Sequence, residues 1–437
     1  MADSRPTNDS IADSADFDVV IVGASLAGCA AAILLGRGGA RVALVEKKPD
    51  PAAFKRTCSH FIQASAVPTL ERLGLLEPIV AAGGVRTPMR AWTRWGWIEA
   101  PEGRGGIAVN LRRERLDPLI REAAAETPGV ELMLGQGAHR LLHEEGAVSG
   151  VAVRDRDDAE TVLRARLVVG ADGRDSHLAE LAGVKEKTRP HGRFAYGAYF
   201  EGPPPTHNGA SSIWMLDPQW AAAFPTDEGL TFYAAMMTKD RLPEFRDDPE
   251  AALVSFLTGI PDAPPIGISR IVSPMTGKLE MPTRVRVPIA PGFALAGDAA
   301  LAVDPLFGVG CGWALQSAEW LADSVAPALQ GREPLSRGLS RYRRRHSRGL
   351  RGHAFQIGDY SSGRKLRSRE RMLFAAAARD AKVAADFDAF ATRSAGPVRT
   401  IARTVPRAIV VNSRHALGRR RGKTERPRSS MSTSVDT

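Results

Sequence analysis

The chain has 437 residues, 43% hydrophobic and 25% charged, a globular balance with room for a large core shared by two or three regions. Its longest apolar runs, Gly28 to Leu35 and Ala290 to Ala302, are too short or too interrupted to span a bilayer. The net charge of +10 raises nucleic acid as a partner, but most of it sits at one end. No zinc-finger, RNP-like or helix-turn-helix pattern accompanies it, so nucleic-acid binding is not expected.

In chain order, residues 1–16 are polar and acidic, and read as a disordered leader rather than a secretory signal. Phe17-Asp-Val-Val-Ile-Val22 predicts a buried parallel strand. Gly23-Ala-Ser25-Leu26-Ala27-Gly28 turns into a small-residue helix, and Arg41-Val-Ala-Leu-Val-Glu46 predicts a second buried strand ending in an acid. An acid about 20 positions beyond the glycines completes the dinucleotide βαβ pattern. Gly23 permits the turn, Gly28 lets helix and strand approach, and the helix N-terminus faces a pyrophosphate. Glu46, beside Lys47, is placed to accept from a ribose hydroxyl. Ser25 replaces the middle glycine, where its side chain either crowds the pyrophosphate or donates to it.

Further on, Arg90 to Ala108 and Val148 to Val168 read as strands, and Arg113 stands just before an amphipathic helix. Leu167-Val-Val-Gly-Ala-Asp172-Gly173 is an apolar strand ending in Asp-Gly. From about Arg193, short aromatic-rich runs separated by Pro, Gly and Asp predict antiparallel strands. Phe293-Ala-Leu-Ala then leads to Gly297-Asp298, a bend at Pro305, and alternate glycines Gly308, Gly310 and Gly312 entering a helix. The residues after Gln330 look helical, and the seven arginines between Arg337 and Arg351 suggest an exposed helix face. From Arg403 to Arg428 there are nine basic residues against one acid, Glu425. This stretch reads as a solvated, disordered tail, with a weak contact to an anionic membrane surface as the alternative. The three cysteines, Cys29, Cys58 and Cys311, are widely spaced. They argue against a disulfide framework or a metal cluster and suit a reducing cytoplasm.

These motifs, in this order and spacing over residues 17–330, resemble the FAD-dependent group A monooxygenases, the p-hydroxybenzoate hydroxylase-like flavoproteins. The resemblance implies an α/β fold: a Rossmann-like FAD-binding domain of the glutathione reductase type (GR2), an inserted antiparallel β-sheet substrate domain and a C-terminal helical region. The implied boundaries are FAD-binding at 17–185 and 289–330, substrate sheet at 186–288, helices at 331–402 and basic tail at 403–437. Glu46 is implied to hold the adenosine ribose, Arg56 and Arg113 the phosphate and ribityl side, and Asp298 the ribityl hydroxyls. Asp172 and Gly173 match the motif that supports FAD and NAD(P)H use. Pro305, Gly308, Val309 and Gly310 form the turn toward the flavin ring. Tyr196, Tyr199, Trp214, Phe232 and Tyr233 are the candidates to line the substrate cavity, although strand aromatics equally serve to pack a sheet.

No catalytic base stands out; His60, close to Arg56, is the candidate. The implied reaction uses NAD(P)H and O2 to hydroxylate or epoxidise a hydrophobic, aromatic or polyketide- or isoprenoid-like molecule, with the cofactor carrying the hard chemistry. High alanine and arginine content suggests a GC-rich bacterial source and a place in secondary metabolism such as antibiotic biosynthesis. Asp304-Pro-Leu-Phe-Gly308 also resembles the corresponding turn of geranylgeranyl reductases and flavin halogenases, which keeps a double-bond reductase open as the alternative. The halogenase WxWxIP motif has no counterpart: Trp95-Gly-Trp97-Ile98 lies too early and lacks the proline. A flavin halogenase and a non-redox flavin scaffold for cyclisation are the remaining readings, and the oligomeric state is left open.

Overall fold

The structure, a computed structural model, describes residues 15–424 apart from 59, 207 and 208. The leader reading of residues 1–14 and the end of the tail from 425 lie outside the described residues.

A first sheet runs in the order Ile289–Ala290, Phe293–Leu295, Glu160–Gly170, Phe17–Val22, Val42–Glu46 and Val130–Leu134, with its central strands parallel. The first strand is apolar at successive positions because both of its faces are covered. Val19 and Ile21 pack toward helices Leu26–Arg37, Arg113–Ala125 and Gly310–Leu329. Val20 and Val22 face an antiparallel layer formed by Gly137–Glu144 and Ala147–Arg154. The strand Glu160–Gly170 serves both layers: its first half pairs antiparallel with Ala147–Arg154 and its second half parallel with Phe17–Val22. The strand ends carrying Gly23, Glu46, Asp172 and Asp298 therefore emerge at one edge.

A second, ten-stranded sheet is built on Arg193–Glu201, Thr231–Thr238, Trp220–Pro225 and Ser211–Met215, paired antiparallel. It also takes in Val85–Thr93, Gly96–Glu99, Ile107–Asn110 and Phe61–Ile62, so the sheet is not confined to residues 186–288. Its outer face packs on helix Pro249–Thr258. Its inner face meets Phe61, the turn at Leu306 and Phe307, and the C-terminal helices.

Those helices are Leu335–Tyr360, Ser368–Ala377, Ala381–Ala391 and Pro397–Thr424. The last corrects the reading of a tail unstructured from residue 403. Thr404 and Ala408 are buried and Val411 packs against the same core cluster as Met372 and Phe374, an apolar stripe at helical spacing. The arginines that obscured this stripe lie beside it, and Arg407 pairs with Asp386 at 2.7 Å. No helix of the described residues is long and apolar enough to cross a membrane.

Candidate functional site

The site begins where the first strand ends. Gly23 has φ of +107°, and a Cβ there would lie 2.5 Å from the Ala171 carbonyl oxygen. A Cβ on Gly28 would lie 1.8 Å from the Gly23 oxygen, so strand and helix touch where only glycine fits. Ser25 is the N-cap of helix Leu26–Arg37, yet its hydroxyl does not cap it. The first-turn N–H groups at Leu26, Ala27 and Gly28 thus remain as donors for an anion. The Ser25 hydroxyl instead accepts from Arg113 Nη2 at 2.8 Å, which is what the departure from a third glycine does here. Glu46 spans the turn, accepting from the N–H groups of Ala24 and Lys48, both at 3.0 Å.

Four charged groups meet around this turn. Arg113 is buried, held by Asp117 Oδ1 at 2.7 Å from its Nε, and its Nη1 lies 3.6 Å from Cys58 Sγ and 3.9 Å from Cys311 Sγ. Lys55 Nζ pairs with Asp298 Oδ2 at 3.0 Å, and the Lys55 N–H donates to Asp117 Oδ2 at 2.9 Å. Burial alone would raise the Asp298 carboxyl, but Lys55 and, further off, Arg174 hold it below the usual range. The same pairing raises Lys55. Asp298 is thus an anion and Lys55 a cation at neutral pH. The sequence placed Arg56 in this role. Arg56 and Lys47 are exposed; Lys55, itself half-exposed, is the neighbour whose Nζ reaches Asp298. Arg121 was also not anticipated: buried, it donates to Ala24 O at 3.1 Å, Ala53 O at 2.8 Å and Pro51 O, clamping the loop to the glycine turn.

Asp172 sits beside Gly23, but its carboxylate is engaged in starting the helix His177–Leu181. It accepts from Ser176 Oγ at 2.5 Å and Leu178 N at 3.0 Å. Its side chain shapes the edge of the site and is not turned into it. Gly173 has φ of +90°. The turn Gly297–Ala299 presents Asp298; Gly297 (φ +61°) abuts Ala27, and its N–H donates to Ser317 Oγ at 2.8 Å. Asp304 Oδ1 accepts from Leu306 N at 2.7 Å and locks the Pro305–Phe307 turn, while Oδ2 lies 2.7 Å from His191 Nε2 in a buried pair. Gly308 (φ +61°) passes against Phe61, where a Cβ would come within 2.8 Å. Val309 is the N-cap of the 20-residue helix that starts at Gly310, and no side chain caps it. Its first N–H groups are a second set of donors.

His60 stands between these loops and the second sheet. Its φ is +60°, its Nδ1 accepts from the Arg113 N–H at 2.7 Å, and its ring lies 5.3 Å from Tyr199 and 5.9 Å from Phe232. Burial, with Arg113 and Arg112 adding, lowers it to about 4, so the ring is neutral at pH 7 with its proton on Nε2. Of the five aromatic candidates, only Tyr199 and Phe232 face this side. Tyr196, Trp214 and Tyr233 belong to the outer core: Tyr196 stacks on Phe245, Trp214 donates to Pro261 O at 3.0 Å, and Tyr233 meets Phe200 edge-on. The pleat sends successive side chains to opposite faces, which decides between neighbours such as Phe232 and Tyr233. The inner face carries Trp220, Phe224 and Met236 as well, closed by Phe307, 5.0 Å from Trp220.

The donors fit FAD. Two uncapped helix starts and Arg113 suit a pyrophosphate, Glu46 a ribose, Asp298 and Lys55 a polyol chain, and the glycine contacts leave no side chain in the cradle. Among the described residues, no group of three His, Cys, Asp or Glu could hold a metal ion. Fold and site thus define an α/β protein with a dinucleotide-binding turn beside an apolar sheet face. Residues 16–351 match the FAD binding domain family, and the chain belongs to it.

Two relatives show the range of that family. Digeranylgeranylglycerophospholipid reductase 1 of Methanopyrus kandleri is 27% identical over 360 residues, 76% of this chain and 86% of that protein. Kynurenine 3-monooxygenase of Salinispora arenicola is 29% identical over 327 residues, 67% and 68% of the two chains. Among solved structures, the flavin-dependent brominase Bmp2 is similar in fold at a TM-score of 0.74 and 19% identity, covering 92% of this chain and 99% of that one. The chain is a member of a flavin-dependent oxidoreductase family.

Proposed function

We propose that this flavoprotein is a monooxygenase that uses NAD(P)H and O2 to hydroxylate or epoxidise a hydrophobic aromatic, polyketide-like or isoprenoid-like molecule. The observation that carries the reading is the inner face of the second sheet. Tyr199, Phe224, Phe232, Trp220 and Met236 form an apolar wall that reaches the cofactor turn through Phe61 and Phe307. Such a wall excludes water and holds an apolar substrate by its rings.

When bound, FAD would supply the redox chemistry between a nicotinamide and O2. The chain supplies position. Glu46 takes the adenosine ribose, the helix starts and Arg113 the phosphates, and Asp298 with Lys55 the ribityl chain. His60, fixed by the Arg113 N–H at Nδ1, offers Nε2–H toward the substrate side as a neutral donor. The Tyr199 hydroxyl is buried without a partner, and burial keeps it protonated, so it can donate to a polar substrate atom.

A double-bond reductase is the second reading. It is favoured by the Asp304–Phe307 turn and by the relatedness to a lipid reductase over three quarters of the chain. The two separate in one experiment: holoprotein, NADPH and compounds chosen because they shift the visible flavin absorption, run with and without O2. The monooxygenase requires O2 for product. Equal product under anaerobiosis would establish the reductase in its place, and product without NADPH consumption would point to a non-redox scaffold.

A further inference from the structure

We propose that Cys58 and Cys311 form a redox-active dithiol that hydrogen peroxide converts to a disulfide, tying the loop before His60 to the start of helix Gly310–Leu329. The two residues are 253 positions apart, yet their sulfurs lie 3.6 Å from each other as free thiols. A disulfide needs about 2.05 Å, an approach of about 1.5 Å. Packing beside Cys311 does not oppose that approach: a Cβ on Gly312 would meet Ala66 Cβ at 3.4 Å and Gln63 Cβ at 3.9 Å, both ordinary van der Waals contacts.

The surroundings favour a thiolate. The Arg113 guanidinium is within 3.9 Å of both sulfurs, and the His60 N–H donates to Cys58 Sγ at 3.3 Å. The thiolate is the one at Cys58: the hydrogen bond to Cys58, and then burial, push the Cys311 thiol well above the usual range, so Cys311 keeps its proton. The hydrogen bond from the Cys311 thiol, helped by Arg113 and Lys55, outweighs burial and holds Cys58 well below the usual thiol range. Cys29, inside the first helix, is the contrast: burial pushes its thiol up.

Peroxide arises whenever a reduced flavin meets O2 without passing oxygen to a substrate, so the proposal rests on FAD binding and not on the monooxygenase reading. The Cys58 thiolate attacks one peroxide oxygen; the O–O bond breaks and hydroxide leaves, taking a proton to become water. The Cys311 sulfur then displaces hydroxide from the Cys58 sulfenic acid, forming S–S and a second water. Two thiols are oxidised by two electrons and one peroxide is reduced to two waters.

The test uses FAD-loaded protein, fully reduced, desalted and treated with hydrogen peroxide. About one equivalent is expected to remove two of the three thiols titratable after denaturation. Tryptic peptides 57–72 and 287–332 become linked, and dithiothreitol reverses the link. In Cys311→Ser, dimedone is expected to trap a sulfenic acid at Cys58. The proposal is overturned if three thiols persist at tenfold excess peroxide with no linked peptide, or if Cys29 oxidises as readily as Cys58. Should the variant fail to fold, the wild-type peptide map decides alone.

Discussion

An added methyl at Gly28 would collide with backbone 1.8 Å away, whereas at Gly310 it would meet nothing within 4 Å. The two glycines therefore predict different failures. Gly28→Ala is expected to leave little soluble protein, because neither strand nor helix backbone can yield. Gly310→Ala is expected to fold with unchanged thermal stability but to retain roughly tenfold less FAD, read from the ratio of visible to ultraviolet absorbance, since its methyl enters the cofactor space. Unchanged FAD content in Gly310→Ala would place the cofactor elsewhere. Asp298→Ala should likewise lower FAD retention and leave Lys55 without its partner. At this scale the sequence was readable where a rule is local: Gly23, Gly28, Glu46 and Asp298 are set by position relative to strand ends. Lys55, Arg121 and the His191–Asp304 pair were not, because residues distant in the chain bring them together.

Elements add a constraint that single residues lack. Tyr199 and Tyr233 lie on neighbouring strands paired antiparallel, yet their side chains sit in different cores. Tyr233→Ala, in the packed outer core, should cost about 3–5 kcal/mol in urea unfolding. Tyr199→Ala should cost much less and instead change the flavin spectral shift produced by bound aromatic compounds. Aromatic composition announced the strands, but face assignment needs the pairing register, which composition does not contain. The last helix teaches the same lesson. Ala408→Asp is expected to destabilise by about 2–4 kcal/mol, while Ile409→Asp, at a position 51% exposed, should stay within about 0.5 kcal/mol. Equal effects would mean that Pro397–Thr424 does not pack as described. Its charge density hid an apolar stripe only three or four residues wide in period.

Across the whole molecule, buried histidines couple folding to pH. His60 and His346 are lowered to about 4 and His353 to about 3, chiefly by burial. The unfolded chain takes up these protons near pH 6.5, the folded chain only near pH 4 or below, so stability falls as pH drops through that window. His346, packed on Tyr342 with Nε2 unpartnered, contributes at most about 3 kcal/mol of this loss. His346→Leu should flatten the fall in urea midpoint between pH 7 and 5; an unaltered slope would show that this ring is already solvated.

The overall plan, a nucleotide-binding sheet beside an aromatic sheet with helices after them, was legible from motif order. The sharing of the second sheet by Val85–Thr93 and Ile107–Asn110 was not, since strands far apart in sequence carry no local sign of their pairing. The measurement that bears most directly on the proposed reaction is turnover under ¹⁸O2 with NADPH and the compound the holoprotein transforms. One heavy oxygen atom in the product is the expected result; unlabelled product formed at the same rate without O2 would contradict it.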